Sequence, residues 1–370
     1  MENQANSKLY RVIGGIFISS IDPLLEPTQE VLNKTYGITH ILTVMKQNLP
    51  DYYKENYTTM QIPIDDAPNE VLFTYFKQSN DFISSALFGK TFDELLADSE
   101  NKDNALQQIK RSKHQGKILI HCSAGQSRSP AFLIAFLMKF YQMNYKTAKY
   151  AISRSKSDIQ PNESFESQLL FYKKLECEDN PKKLDMNTEF NQFLREMQFS
   201  QIPSSSVEDN IKAFLSDSSN FKDEHNSGTW NTNDPMYELR CKRCRQMLAK
   251  SNYFVNHEPP LEEPTEDGSE GYRNPANKQL YFTKNAFKSR RVISRERASN
   301  NCTHYFVEPL TWMKDELSKG EMEGKFNCLK CQAKVGGYSW KGSRCSCGKW
   351  MIPAMDLQVS KVDKVLIRRK

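Results

Sequence analysis

Apolar and polar positions over residues 9–176 alternate between strand-like and helix-like periods. Residues 9–20 (LYRVIGGIFISS) predict two short strands joined at Gly14-Gly15. Residues 38–45 (ITHILTVM) and 57–64 (YTTMQIPI) are β-branched, aromatic-rich runs of strand length, and residues 117–121 (KILIH) read as a short buried strand. Val71, Leu72, Phe73, Phe76, Phe82, Ile83 and Leu87 fall near helical spacing and predict a helix over 71–87. Pro130 starts another, continued by AFLIAFLMKFY as a core helix, and two more are expected near 145–154 and 162–176. Strands alternating with helices point to an α/β domain whose mostly parallel sheet is flanked by helices. Residues 89–116 are polar and read as an inserted surface excursion. Residues 177–234 are rich in Ser, Asn and Asp and predict a largely flexible linker, with one short helix at 190–199.

The length of 370 residues fits two domains, and 38% hydrophobic with 26% charged residues excludes collagen-like and wholly disordered chains. The longest apolar run, 131–138, is far short of the roughly twenty residues a membrane helix needs. The first eight residues lack the apolar core of a signal peptide, so a soluble protein of cytoplasm and nucleus is expected, with no membrane partner. Charge is unevenly spread. Residues 1–176 carry 20 basic against 19 acidic side chains, residues 177–234 carry 5 against 11, and residues 235–370 carry 26 against 15. A basic C-terminal third therefore follows an acidic middle, which suits a partner bearing phosphates. Tyr338, Trp340 and Trp350 stand among those basic residues as candidates for stacking on bases.

One run carries a complete chemical proposition. In residues 118–130, ILIHCSAGQSRSP, a buried strand ends at a cysteine, followed after five residues by an arginine, a serine and a helix. Ser123, Ala124, Gly125, Gln126 and Ser127 are small or uncharged, so successive main-chain N–H groups can turn inward into an anion-binding nest. The start of the following helix adds its positive end. Arg128 can grip two phosphate oxygens with its planar fork, and the same field favours the thiolate of Cys122. A thiolate below a bound phosphate is a nucleophile for covalent phosphoryl transfer.

A second constellation lies after residue 240: Cys241, Cys244, His257, Cys302, Cys328, Cys331, Cys345 and Cys347. Nine cysteines in an intracellular chain argue for catalysis or metal binding over disulfides. Seven cysteines and a histidine suffice for two closed tetrahedral zinc sites of structural type. Sequence proximity groups Cys328, Cys331, Cys345 and Cys347 as one set and Cys241, Cys244, His257 and Cys302 as the other. His304 in place of His257, and an interleaved pairing of the half-sites, are the alternatives. Cys177 reads as a lone buried thiol.

The pattern His121-Cys122-x-x-Gly125-x-x-Arg128-Ser129 resembles the signature loop of cysteine-based protein phosphatases, and residues 160–169 (QPNESFESQL) resemble a helix start of the dual-specificity branch. The resemblance implies the cysteine-phosphatase fold and a phosphocysteine mechanism acting on phosphotyrosine and phosphoserine/threonine proteins. In that mechanism Cys122 attacks phosphorus and Arg128 with the loop amides stabilises charge. Ser129 aids departure of the thiolate, and His121 organises the loop. The family register puts the general acid in Ile62-Pro-Ile-Asp-Asp66 at Asp66, with Asp65 the fallback. The chemistry needs no metal.

Together with the cysteine spacing, the chain resembles dual-specificity phosphatases with a C-terminal zinc-binding domain, fungal members in particular. That implies a phosphatase domain over 8–176, a linker over 177–234, a small β-rich zinc domain over 235–356, and a basic tail over 357–370. The family pattern favours His257 as ligand. It also implies binding to pre-60S ribosomal particles, through ribosomal RNA or assembly factors, and a role in late large-subunit assembly attributed chiefly to the zinc domain. The other reading is a ribosome-assembly binding factor whose phosphatase activity is secondary.

Overall fold

The structure, a computed structural model, describes residues 9–25, 31–97, 114–200, 207–223, 236–257, 302–347 and 349–367. The core of the polar excursion at 98–113 and the stretch at 258–301 lie outside the described residues. The chain forms two compact units, Met1–Lys183 and Leu184–Lys370.

In the first unit, strands β1 (Tyr10–Ile13), β2 (Ile16–Ser19), β3 (His40–Val44), β4 (Thr58–Ile62) and β5 (Ile118–His121) form one sheet in the order β1-β2-β5-β3-β4. All neighbours are parallel except β1 and β2, which Gly14 (φ 52°) and Gly15 join as a tight antiparallel pair. The strands alternate their side chains between two cores. Phe17, Ile41 and Leu119 pack on one face with Leu24, Leu32 and Tyr53. The other face is covered by α1 (Phe73–Phe88), α2 (Arg128–Phe140) and α4 (Glu163–Lys174), with α3 (Tyr145–Ser153) packed against α2 and α4. Helix α2 is buried nearly all round, as its continuous apolar run requires. Consequently β5 and most of α2, which bracket the cysteine loop, are buried within the unit.

The second unit differs from expectation at both of its ends. Residues 177–234 are no continuous linker. Among the described ones, α5 (Thr188–Ser200) and α6 (Val207–Ser216) are helices whose Phe199, Ile211 and Phe214 enter the core formed with Leu239, Phe326, Tyr338, Trp340 and Leu357. The ring of Phe199 stacks on Trp340 at 5.3 Å, and Phe214 meets it edge-on at 5.4 Å. Acidic composition conceals this in the sequence, because a few aromatics at helical spacing suffice to anchor each helix. The same contacts remove Trp340 (1% exposed) and Tyr338 (4% exposed) from any role in base stacking.

The residues assigned to a basic tail likewise fold. Val362–Leu366 forms β14, antiparallel to β6 (Tyr237–Cys241), which also pairs with β7 (Met247–Lys250). A second sheet runs β8 (His304–Phe306), β13 (Ala354–Gln358), β10 (Lys334–Ser339), β9 (Glu323–Asn327), and β11 (Ser343–Arg344) pairs with β12 (Trp350–Met351). Within this strand Lys364 is exposed, Asp363 is partly buried and Val362, at its start, is 3% exposed.

All four tryptophans belong to the second unit, so indole fluorescence reports on it selectively. Phe214→Ala should lower that unit's unfolding free energy by about 3 kcal/mol, measured by urea denaturation followed at the tryptophans. No change would mean that α6 is not part of its core.

Candidate functional site

The loop between β5 and α2 is held from three sides. Ile21 N–H donates to the carbonyl of Ser123 (3.1 Å), and Gln160 N–H donates to that of Gln126 (2.7 Å). Gly125 (φ 69°) lies so close to the preceding strand that a Cβ would come within 2.5 Å of the Ser19 carbonyl oxygen. Only glycine fits a left-handed position against backbone. This turn aims the Gly125 N–H at Sγ of Cys122 (3.2 Å), where the Ser129 hydroxyl also donates (3.2 Å). Cys122 is 2% exposed at the floor of the loop.

Ser127 stands at the N-cap of α2, yet its side chain makes no cap hydrogen bond, which leaves the first N–H groups of a thirteen-residue helix to an anion. Arg128 extends beside the loop. Its Nη1 donates to the Ile64 carbonyl (3.2 Å), while its buried Nε has no hydrogen-bond partner among the described residues. A buried, charged donor without an acceptor carries a desolvation cost that an anionic ligand would remove.

His121 precedes the cysteine on the buried end of β5, with Nε2 2.8 Å from the hydroxyl of Thr43 on β3. Complete burial pushes its imidazolium down to about 3, so the ring is neutral near pH 7 and adds no charge to the cradle.

The two aspartates face different ways. Asp65 forms an ion pair with Lys46 (2.5 Å) and remains half exposed, and its N–H donates to Glu70 (2.9 Å). Asp66 turns toward the loop, accepting at Oδ1 from the Ser127 hydroxyl (2.7 Å) and from Asn162 Nδ2 (2.7 Å). The structure thus gathers Cys122, Ser123, Ala124, Gly125, Gln126, Ser127, Arg128, Ser129, His121 and Asp66 in one place. Three neighbours went unread in the sequence. Thr43 and Asp158, which accepts from Gln126 (2.9 Å), carry no local signal. Asn162 is legible only as an N-cap before Glu163, a role it does fill.

The eight metal-ligand candidates converge as well, in two groups whose ligand atoms lie within 4.8 Å of one another. Cys241 and Cys244 meet Cys328 and Cys331, while His257 and Cys302 meet Cys345 and Cys347. The grouping by sequence proximity is therefore wrong, and the interleaved one holds, with His257 in place and His304 outside. Sheet pairing explains this. Each Cys-x-x-Cys forms the turn of a hairpin, β6–β7 or β9–β10, and the two tips come together. The turns are built alike, with Arg245 N–H returning to the Cys241 carbonyl (2.8 Å) and Gln332 N–H to that of Cys328 (2.9 Å). Arg245 and Gln332 both adopt positive φ to close them.

Residues 93–175 match the family model described as dual specificity phosphatase, catalytic domain. Tyrosine-protein phosphatase YVH1 of Saccharomyces cerevisiae is 37% identical over 98% of this chain and 93% of its own length. The chain belongs to the Yvh1 family of protein phosphatases. Relatives include tyrosine-protein phosphatase yvh1 of Schizosaccharomyces pombe, 31% identical over 89% of this chain and 77% of its own. Dual specificity protein phosphatase 12 of Rattus norvegicus is 28% identical over 85% and 83%. Like the rest of the Yvh1 family, this is a cysteine-based protein phosphatase of the dual-specificity class. Among the described residues, no helix is long and apolar enough to cross a membrane.

The neutral His121 has a consequence for acid stability. Its folded pKa is depressed below the unfolded value near 6.5, so below pH 6.5 the unfolded chain binds the extra proton. The stability it contributes is complete above pH 6.5 and is lost as pH falls toward 3. Between pH 7 and pH 5 this loss should reach about 2 kcal/mol. It should be absent in His121→Asn, read from hydrogen exchange of the Ile118–Ile120 amides corrected for intrinsic rates. Equal pH slopes in the two proteins would show that His121 titrates normally.

Proposed function

We propose that hydrolysis proceeds through a phosphocysteine on Cys122. The observation that carries this is the pair of donors on Sγ, the Gly125 amide and the Ser129 hydroxyl, beside the unpartnered Nε of Arg128. In the first step Sγ attacks phosphorus, Arg128 and the N–H groups of residues 123–128 take the developing charge, and Asp66 protonates the departing oxygen. Asp66 is favoured over Asp65 because it faces Ser127, whereas Asp65 is held outward by Lys46. In the second step water attacks phosphorus, and the Ser129 hydroxyl eases release of the sulfur as thiolate. His121 serves by position, tying the end of β5 to β3 through Thr43. Phosphotyrosine and phosphoserine/threonine proteins are the substrates.

Two structural zinc ions are proposed for the C-terminal unit, one at each ligand group. A tetrahedral centre with Zn–S bonds of about 2.3 Å separates its sulfurs by about 3.8 Å. Cys241 and Cys331 lie 3.7 Å apart, and Cys244 and Cys328 lie 3.4 Å apart. The Sγ of Cys302 is 3.3 Å from Nε2 of His257. Metal there would join separate hairpins and loops, contributing folding energy and leaving the phosphatase chemistry metal-free. By family likeness and basic charge, this unit binds pre-60S particles and promotes late large-subunit assembly in nucleus and cytoplasm.

Cys122→Ser should lower hydrolysis of 4-nitrophenyl phosphate at least about a thousandfold, and Arg128→Lys about a hundredfold. Wild-type turnover by Cys122→Ser would end the covalent mechanism. Cys122→Ser should still co-sediment with pre-60S particles, while a chain ending at residue 183 should not; the opposite pattern would refute the particle assignment. Metal analysis should return two zinc ions per chain, and Cys331→Ala should remove one of them.

A further inference from the structure

The carboxyl group of Asp66 is engaged on one oxygen only. Oδ1 receives both the Ser127 hydroxyl and the Asn162 amide at 2.7 Å, whereas Oδ2 takes no hydrogen bond among the described residues. Direction is fixed at each donor. Asn162 Oδ1 accepts the Phe165 N–H (2.9 Å) as the N-cap of α4, so its NH2 must be the end facing Asp66. The Asn162 N–H donates to Oγ of Ser127 (3.1 Å), so the hydroxyl hydrogen of Ser127 is left to point at Asp66.

We infer that Asn162 is the positioning residue of the general acid, and that Asp66 carries its transferable proton on Oδ2. An oxygen already accepting two donors cannot also bear the acid hydrogen, so protonation goes to the free oxygen. With Oδ1 pinned, the carboxyl plane is fixed and Oδ2–H is presented on the side away from Ser127 and Asn162. As the S–P bond forms and the bridging P–O bond breaks, Oδ2 gives its proton to the leaving oxygen, which departs as a neutral alcohol or phenol. The two donors on Oδ1 are then hydrogen bonds to a carboxylate, the stronger kind. In hydrolysis Oδ2 takes a proton from the attacking water as the O–P bond forms. The P–S bond breaks to regenerate thiolate and inorganic phosphate. One side chain thus starts α4 and aims the acid, and Arg128 Nη1 on the Ile64 carbonyl secures the same segment two residues earlier.

This inference rests on Asp66 being the acid, and the test separates the two claims. Turnover of 4-nitrophenyl phosphate, whose leaving group needs little protonation, is compared with that of phenyl phosphate in Asp66→Asn, Asn162→Ser and Asn162→Asp. Both Asn162 variants keep an N-cap acceptor, and thermal melts identify which are folded. Asp66→Asn should lose about a hundredfold more on phenyl phosphate than on 4-nitrophenyl phosphate. Each folded Asn162 variant should show the same bias at about tenfold, with KM nearly unchanged. Bias in Asp66→Asn but equal losses on both substrates in the Asn162 variants would overturn the positioning role while sparing the acid. Absence of bias in Asp66→Asn would overturn both.

Discussion

Gly125 packed against the carbonyl of Ser19 fixes the shape of the cysteine loop, and the chemistry depends on that contact. The sulfur needs an inward N–H, an inward N–H needs a left-handed residue, and the adjacent strand leaves no room for a Cβ. The parallel pairing of β2 with β5 holds the two partners in register, Ser19 opposite His121. The sheet therefore acts as a jig. Its buried strand ends supply the anion cradle, and the helix that follows supplies both a positive terminus and Arg128. Asp66, from the segment after β4, and Asn162, from the start of α4, close the ring from elements distant in sequence.

The second unit solves a different problem. Its strands are short and its sheets small, with a hydrophobic core that draws on α5 and α6 as well as on the strands. Two groups of residues able to ligate a metal bring separate hairpins and loops together. Many of the described basic residues, Lys325, Lys330 and Lys341 among them, are exposed, while the aromatic rings of Tyr338 and Trp340 are consumed by the interior. Of Tyr338, Trp340 and Trp350, only Trp350 is partly exposed.

The first unit was largely legible because its signals are local and redundant. Residues 118–121 form a buried strand, 128–140 a helix with an unbroken apolar run at 131–138, and the Cys-x-x-Gly-x-x-Arg spacing encodes a loop in seven positions. The second unit was legible in its ligands but not in their partnership, since strand pairing between remote segments decides which Cys-x-x-Cys turns meet. Helix α5 was read only as a short helix in a flexible linker, and α6 was missed, for a composition reason. Phe190, Phe193 and Met197 recur at helical spacing amid polar neighbours, and Ile211 with Phe214 is a stripe of only two buried positions. Such stripes are stabilised by the core they enter, not by propensity. Strand β14 was hidden likewise, since Asp363 and Lys364 interrupt its apolar residues and only Val362 is fully buried. Asn162 could be read as a cap, but its second hydrogen bond crosses 96 residues of sequence and has no local trace.

The alternation of ligands along the chain bears on how the protein is made. The first ligand group is incomplete until Cys331 has been synthesised, and the second until Cys347. Strand β6, whose end carries Cys241, gains its partner β14 only from the last few residues. A ribosome that has emitted the phosphatase unit and the first hairpin has therefore produced nothing that can retain an ion with four donors. Four-donor retention of a metal at both groups would therefore have to wait until Cys347 has been made.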